Sequence, residues 1–180
     1  MLHEDIESII LTDEEIQSRV GELAREISED YEGKDPMFIG VLKGCFVFMA
    51  DLLRGISIPC TMDFMAVSSY GNASVSTGAV KITKDLSRDI EGKNVIIVED
   101  ILDSGLTLSY LVKYLWNRNP ESIRIVTLLD KPSGRKADIE ADYSGFKIPD
   151  GFIVGYGLDY AEKYRNLPYV GLLKREIYSD

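Results

Sequence analysis

The order of apolar and polar positions predicts a helix near the N-terminus and a buried strand after it. Apolar residues within 16–27 recur at the spacing of one helical face. Thr12 and Glu15, three positions apart at the start of this face, form the pattern of a capping box. Gly33 ends the segment, and the uninterrupted run MFIGVL at 37–42 predicts a buried strand.

The next stretch predicts a second helix, two strands and a polar loop between the strands. The helix covers 45–54 and ends at Gly55. The strands cover 61–67 and 79–83. Between them, 68–78 (SSYGNASVSTG) consists of small and polar residues without periodicity, which predicts a mobile loop or a loose hairpin.

The middle of the chain predicts a strand, a helix and a second strand in close succession. A buried strand at 94–98 (NVIIV) leads through an acidic turn at 99–104 into a helix at 105–117, and the next strand follows at 122–129. Two strands joined by one helix pair in parallel, as a βαβ unit. Later apolar runs predict short strands at 152–156 and 169–173. We therefore predict one α/β domain over 1–180, with a parallel sheet.

Charge and hydropathy narrow the class of protein. The 180 residues carry a net charge of −10 with a pI near 4.7, which argues against a protein that binds nucleic acid along a basic face. The apolar runs are too short to span a bilayer, and the first residues (MLHED) lack the features of a signal peptide. We expect a cytoplasmic protein with neither a membrane nor a nucleic-acid partner.

The inventory of reactive side chains excludes several catalytic chemistries. His3 is the single histidine and lies in a terminal segment, which excludes histidine-based zinc sites and Ser-His-Asp catalysis. Proton transfer would then fall to Asp, Glu, Lys or Tyr. Cys45 and Cys60 form no C-x-x-C pair and stand in apolar stretches, so we expect two buried thiols.

The segment 95–108 (VIIVEDILDSGLTL) concentrates the chemistry-bearing residues. Ligands of open parallel sheets bind at the carboxyl ends of the strands, and a helix N-terminus at that edge favours phosphate. Gly105 lets the backbone approach a ligand closely, and Ser104 and Thr107 add hydroxyl donors. The adjacent carboxylates of Glu99 and Asp100 would repel a bare phosphate, so we expect a ligand that also presents hydroxyls or a divalent metal. A phosphorylated sugar meets these requirements.

A purely structural interpretation of the same segment stays open at this point. Asp103 and Ser104 would then cap the helix, and Glu99 and Asp100 would form a solvated turn. An acidic turn before a helix has that role in most proteins.

The segment 95–108 resembles the signature with which type I phosphoribosyltransferases bind phosphoribosyl pyrophosphate (PRPP). The resemblance runs from about residue 10 to residue 175. It includes segments similar to those of the hypoxanthine-guanine phosphoribosyltransferases, at 42–44 (LKG), 69–70 (SY), 128–131 (LLDK), 152–159 (FIVGYGLD) and 164–167 (YRNL). Ser104 stands where many of these proteins have threonine, which keeps the hydroxyl.

The resemblance implies a fold and an activity. The fold is a parallel sheet flanked by helices, with a small hood formed from N- and C-terminal segments. The activity is purine salvage, in which Mg²⁺-dependent transfer of the 5-phosphoribosyl group from PRPP to hypoxanthine or guanine gives IMP or GMP and pyrophosphate. The resemblance also implies a homodimer or a homotetramer.

The resemblance also implies a role for each matching residue. Asp103 would be the general base at purine N7, and Glu99 and Asp100 would hold the ribose hydroxyls, partly through Mg²⁺. Asp159 would bind the Mg²⁺ that bridges to pyrophosphate. The 5′-phosphate would be bound by Ser104, Gly105, Leu106 and Thr107, and the pyrophosphate by Lys43, Gly44 and Arg165. Lys131 would donate to the 6-oxo group, Phe152 would stack on the purine, Ile153 would meet the base edge through its backbone, and Ser69 and Tyr70 would close over the site.

Two other functions share the same signature. A PRPP-sensing regulator would bind the ligand without catalysis, but no basic DNA-binding segment accompanies this domain, and the base-side residues Asp103, Lys131 and Phe152 are present. An enzyme specific for xanthine or a pyrimidine is the second alternative, against which the segment FIVGYGLD favours a 6-oxopurine. The sequence does not distinguish a preference for hypoxanthine from one for guanine.

Overall fold

A computed structural model of this protein describes residues 2–69 and 80–179. The helices are α1 Asp13–Asp30, α2 Phe46–Gly55, α3 Leu106–Trp116 and α4 Arg175–Tyr178. The strands, in chain order, are β1 Ile6–Leu11, β2 Met37–Leu42, β3 Thr61–Ser69, β4 Val80–Lys84, β5 Asn94–Leu102, β6 Ser122–Asp130, β7 Tyr143–Lys147, β8 Ile153–Val154 and β9 Val170–Leu173. In this part of the chain, every helix is too short or too polar to cross a membrane.

The capping box predicted at Thr12 starts α1. The backbone N–H of Glu15 donates to Oγ1 of Thr12 at 3.3 Å, and the backbone N–H of Thr12 donates to Oε2 of Glu15 at 2.8 Å. These two bonds satisfy N–H groups that a helix start otherwise leaves unpaired. The predicted apolar face is buried, with Ile16, Val20, Leu23, Ala24 and Ile27 all inside the protein.

The larger sheet is mostly parallel. Among the described residues its strands lie in the order β4-β3-β2-β5-β6-β7. β2 pairs in parallel with β3 and β5, and β6 pairs in parallel with β5 and β7. The edge strand β4 is antiparallel to β3. The predicted parallel sheet is therefore confirmed except at this edge, and the carboxyl ends of the parallel strands meet on one side of it.

Helices cover both faces of this sheet, which confirms the predicted fold class. Ile96 and Val98 of β5 belong to an apolar cluster with α1 and α2, and Val95 and Ile97 belong to a second cluster with α3. Since successive strand residues point to opposite faces, a strand covered on both faces needs apolar residues at every position. This explains the uninterrupted apolar run at 95–98.

The smaller sheet is the hood predicted from the family resemblance. In the described part of the chain its strands lie in the order β1-β9-β8, and both pairings are antiparallel. β1 comes from the N-terminal segment, and β8 and β9 come from the C-terminal segment. The sequence pattern did not predict β1, β7 or α4. β1 is mostly exposed and β7 is only half-buried, so neither needs a strong apolar pattern.

The predicted acidic turn at 99–104 is wrong over its first part. β5 continues through Glu99 and Asp100 to Leu102, and Glu99 lies opposite Thr127 of β6. Backbone pairing with β6 overrides the change from apolar to acidic side chains, which had indicated the end of the strand.

Other predicted boundaries also change. The first residues of the predicted loop 68–78 belong to β3, and Tyr70 lies outside the described residues, so the predicted mobile loop is not described. Only Ile153–Val154 of the predicted strand 152–156 forms a strand. Cys45 is buried as predicted, but Cys60 is exposed because it lies in the connection that precedes β3.

Candidate active site

The carboxyl ends of β2 and β5 border a cleft of about 280 Å³. Seven of the predicted site residues line this cleft, namely Gly44, Glu99, Asp100, Asp103, Ser104, Gly105 and Thr107. The structure thus brings together residues from two strands and from the loop that starts α3. Leu106, the remaining residue of the predicted phosphate loop, is the first residue of α3.

The acidic pair Glu99 and Asp100 lies at the floor of the cleft and is poorly solvated. Burial raises the pKa of Glu99 well above its usual value, and the neighbouring Asp100 raises it further. Burial also raises the pKa of Asp100 to about 6. A side chain at Gly44 would overlap Oδ2 of Asp100, so glycine is required where the Asp100 carboxylate meets the β2 loop. Because Glu99 is buried, the solvated-turn interpretation of this pair is wrong.

Gly105, which precedes α3, lets the loop around Ile139 pack closely against the start of this helix, so the expectation that this glycine makes room for a ligand is not met. Gly105 has a φ of +74°, a conformation that favours glycine, and a Cβ atom there would lie 2.6 Å from Cγ2 of Ile139. No side chain caps the helix at Gly105, and the Oγ atom of Ser104 accepts only a long bond of 3.4 Å from Leu106 N–H. The backbone N–H groups of the first turn and the positive end of the helix dipole therefore face this end of the cleft.

Asp103 and Lys131 lie side by side at the rim. Nζ of Lys131 is 3.8 Å from Oδ2 of Asp103, and the two side chains are 17% and 49% exposed, respectively. A side chain at Gly134 would overlap Oδ1 of Asp103, so this glycine also makes room for the carboxylate. Asp103 is not the helix cap that the structural interpretation assigned to it. The pair offers one proton acceptor and one cationic donor to the same ligand.

Arg135, which the sequence reasoning missed, ties these residues to the sheet. Its guanidinium donates from Nε to the backbone carbonyl of Asp103 at 3.0 Å and from Nη2 to that of Leu102 at 3.3 Å. It also donates to the carbonyl of Ile139 and to the carboxylate of Asp130, the neighbour of Lys131. The side chain is only 17% exposed. Arg135 therefore fixes the chain around Asp103 relative to the chain around Lys131.

The residues predicted to meet the purine ring lie in the hood, outside the residues that line the cleft. Phe152 packs against Tyr160 and Tyr178, with ring centroids 5.1 Å away in both cases. Ile153 is buried in β8. The hydroxyl of Ser133 donates to Asp150, which links the loop after Lys131 to the hood segment before Phe152. The hood is thereby connected to the rim of the cleft.

The cations predicted for pyrophosphate lie on the other side of Gly44. Nη2 of Arg165 is 2.9 Å from Oδ1 of Asp159, and Nη1 donates to the carbonyl of Gly157 at 2.8 Å. A Cβ atom at Gly157 would overlap the carbonyl of Gly44, so the two loops touch. Lys43, which follows a cis peptide bond with Leu42, forms an ion pair of 2.8 Å with Glu162.

Glu162 is a second residue that the sequence reasoning missed. Its carboxylate contacts Lys43 through Oε2, and Arg165 through Oε1 at 3.5 Å. Nε of Arg165 is buried and has no hydrogen-bond partner among the described residues. Glu162 lies in a turn, where no periodic pattern could indicate its role. Its partner Lys43 is 119 positions away along the chain.

Comparison with known proteins places this geometry in a family. The family model of the phosphoribosyl transferase domain matches residues 8–161. A hypoxanthine-guanine phosphoribosyltransferase of Bacillus subtilis is 59% identical over 178 residues, which cover 99% of each chain.

Solved structures agree with the sequence comparison. A hypoxanthine phosphoribosyltransferase from Staphylococcus aureus superimposes with a TM-score of 0.96 at 52% identity, covering 99% of this chain and 97% of that one. A hypoxanthine phosphoribosyl transferase of Trypanosoma cruzi superimposes with a TM-score of 0.92 at 44% identity, covering 97% and 95%. The similarity extends over nearly the whole of each chain.

Proposed function

Because this chain belongs to the phosphoribosyltransferase family, we propose that it transfers the 5-phosphoribosyl group of PRPP to hypoxanthine or guanine. The products are IMP or GMP and pyrophosphate, a purine salvage reaction. The names of the similar proteins support the 6-oxopurine, and the family model supports the transfer. The observation that carries the proposal is the single cleft that joins an uncapped helix start, a buried carboxylate pair and the Asp103–Lys131 pair.

The phosphoribosyl group binds in the cleft between β2 and α3. Ser104, Gly105, Leu106 and Thr107 bind the 5′-phosphate through their hydroxyls and the N–H groups of the first helical turn. Glu99 and Asp100 accept hydrogen bonds from the ribose hydroxyls. Such donors, or a cation, stabilise the ionised form of carboxylates whose burial raises their pKa.

The purine binds at the rim, where Asp103 and Lys131 meet. The N7 and O6 atoms of a 6-oxopurine lie on the same edge of the base. Asp103 accepts the proton from N7 while Lys131 donates to O6, and the 3.8 Å between their side chains supports contact with adjacent atoms. Phe152 stacks on the ring and Ile153 meets the base edge through its backbone. The closing role of Ser69 and Tyr70 stays a prediction, because Tyr70 lies outside the described residues.

The acidic residues fit a magnesium ion that arrives with the substrate. Within residues 2–69 and 80–179, no three His, Cys, Asp or Glu side chains cluster closely enough to hold a metal. Mg²⁺ is commonly bound by one or two carboxylates together with waters and substrate phosphates. Asp159 would hold the Mg²⁺ that neutralises charge on the pyrophosphate as it leaves, and Glu99 and Asp100 would hold the ribose hydroxyls, partly through Mg²⁺. Lys43, Arg165 and the N–H of Gly44 bind that leaving group.

A panel of bases tests the proposed function. The full chain, with Mg²⁺ and saturating PRPP, would be assayed with hypoxanthine, guanine, xanthine and adenine, and the nucleotides separated by chromatography. We expect IMP and GMP, with much less product from adenine. Binding of PRPP without turnover of any base would instead favour a PRPP-sensing regulator.

Assembly and location are proposals of a different kind. We propose a homodimer or a homotetramer. The proposal is supported by the Trypanosoma cruzi relative, whose C-terminal region has a role in its oligomeric state. Light scattering coupled to size-exclusion chromatography would measure the mass, and a monomer at micromolar concentration would contradict this. A cytoplasmic location stays a prediction from the sequence.

A further inference from the structure

We infer that Glu162 competes with pyrophosphate for Lys43 and Arg165, and so weakens the binding of PRPP and promotes the release of pyrophosphate. This inference rests on the proposed function, which assigns these two cations to pyrophosphate. It adds a residue that neither the sequence reasoning nor the comparisons assign.

The contacts show one carboxylate spanning two cations. Oε2 of Glu162 lies 2.8 Å from Nζ of Lys43, and Oε1 lies 3.5 Å from Nη2 of Arg165. A carboxylate that accepts from two separate cations presents the same kind of oxygen acceptors as a phosphate group. A pyrophosphate bound by both cations therefore takes the place of this carboxylate.

The local charge balance also favours competition between Glu162 and pyrophosphate. Two cations, Lys43 and Arg165, face two carboxylates, Asp159 and Glu162, so this group is neutral as it stands. A highly charged anion gains little from a neutral group of charges. Movement of Glu162 away from the group leaves one excess positive charge for the incoming phosphate oxygens.

Arg165 has more contacts besides Glu162 than Lys43 has, so loss of the Glu162 carboxylate affects Lys43 more than Arg165. Arg165 is anchored independently of Glu162, by Asp159 at 2.9 Å and by the carbonyl of Gly157 at 2.8 Å. The side chains of Lys43 and Glu162 are both 66% exposed, so their ion pair is weak and readily exchanged. Loss of the Glu162 carboxylate therefore frees Lys43 and leaves Arg165 in position.

The backbone at Glu162 is held in an uncommon conformation. Ala161 and Glu162 have φ values of +50° and +64°, and they form the tip of a tight turn closed by Tyr160 and Lys163. Residues other than glycine and asparagine adopt this conformation at a cost. The N–H of Glu162 donates to Oδ2 of Asp159 at 2.9 Å, which holds the turn toward the cations.

Calorimetric titration of the full chain with magnesium pyrophosphate tests the inference without depending on turnover. We expect Glu162→Gln to bind pyrophosphate about two- to five-fold more tightly, the range for losing one exposed ion pair. The KM for PRPP falls by a similar factor, because PRPP carries the same diphosphate group, and the KM for hypoxanthine stays unchanged. Unchanged or weaker pyrophosphate binding overturns the inference, as does an equal change in the KM for hypoxanthine.

Two further variants separate competition from a general effect of charge. Glu91→Gln removes the same charge from an exposed turn before β5, at the amino end of that strand and far from the cleft. We expect this variant to leave pyrophosphate affinity unchanged. Glu162→Asp keeps the charge but shortens the side chain, so that it no longer spans both cations, and it tightens pyrophosphate binding. If Glu91→Gln tightens binding equally, or Glu162→Asp has no effect, direct competition is wrong. A chain that binds pyrophosphate with these ratios yet makes no IMP contradicts the proposed function and leaves this inference standing.

Discussion

On the proposed mechanism, Asp103 carries the proton transfer that the reaction requires at the purine ring. Asp103→Asn keeps the size of the side chain and removes the acceptor, so we expect kcat to fall by roughly 10²–10⁴-fold. PRPP affinity changes little, because the backbone at the start of α3 is kept. Initial rates and PRPP titrations measure the two effects. Asp138→Asn, an exposed neighbour in the loop after β6, is the matched control, and near wild-type kcat in Asp103→Asn would remove Asp103 from the mechanism.

Lys131 determines, on this proposal, which purine is accepted. Its cation can donate to a 6-oxo group but cannot accept from the 6-amino group of adenine. Lys131→Gln supplies both a donor and an acceptor, so kcat/KM for hypoxanthine falls and the ratio of adenine to hypoxanthine turnover rises by about ten-fold or more. Competition assays with both bases measure the ratio, and Lys147→Gln is the control. Unchanged hypoxanthine kinetics without any gain on adenine would contradict this role.

Single residues differ in how far the sequence could identify them. Glu99, Asp100 and Asp103 were predicted because a buried strand, an acidic cluster and a helix start follow one another along the chain. Arg135 and Glu162 could not be found in this way, because each has partners in a segment far away along the chain. The partners of Arg135 span Leu102 to Ile139, and Glu162 meets Lys43 across 119 positions.

At the scale of elements, the loop between β6 and β7 holds the site together. Arg135 bonds to three backbone carbonyls and to Asp130, and the N–H groups of Lys136 and Ala137 donate to the carbonyl of Ser104. This loop therefore hydrogen-bonds to the end of β5 and fixes Asp103 next to Lys131. The pairing of two flexible side chains across the rim depends on this backbone contact.

Removing the Arg135 guanidinium tests the role of the loop. Arg135→Met leaves buried carbonyls without a donor, which we expect to cost about 2–3 kcal/mol and several degrees in Tm. Below the new Tm, kcat falls, because Asp103 and Lys131 are no longer held at a fixed separation. Lys136→Met, an exposed neighbour, is the control. A lower Tm with an unchanged kcat would show that Arg135 only stabilises the fold.

The elements themselves were predictable in proportion to their burial. β2, β5, α1 and α3 were predicted because the core requires apolar side chains at defined spacings. β1 and β7 expose most or much of their surface, and β8 consists of Ile153–Val154 alone, so their pairing partners determine them more than their own residues do. The hood was therefore predicted from family resemblance rather than from periodicity.

At the scale of the whole molecule, the two sheets divide the reaction between them. The larger sheet provides the cleft that we propose for the phosphoribosyl group, and the hood carries Phe152 and Ile153, which we propose for the purine. The segment between β8 and β9 carries Asp159 and Arg165. Contact between Gly44 and Gly157 joins the two parts at the position assigned to pyrophosphate. If PRPP binds with a metal ion as proposed, it bridges segments from most of the chain, and we expect it to stabilise the native state as a whole.

Magnesium dependence tests this arrangement in the intact protein. Activity stops with excess EDTA and returns with Mg²⁺, because PRPP alone places negative charge beside Glu99, Asp100 and Asp159. PRPP with Mg²⁺ at about 100 times its Kd stabilises the fold by about 2.7 kcal/mol, and Tm rises by roughly 5–10 °C, whereas PRPP with EDTA has a smaller effect. Asp159→Asn raises the Mg²⁺ concentration needed for half-maximal rate. Differential scanning fluorimetry and initial rates measure both responses, with EDTA presaturated by Mg²⁺ as the control. Full turnover in metal-free buffer would overturn the assignment of these carboxylates to a metal-bound substrate.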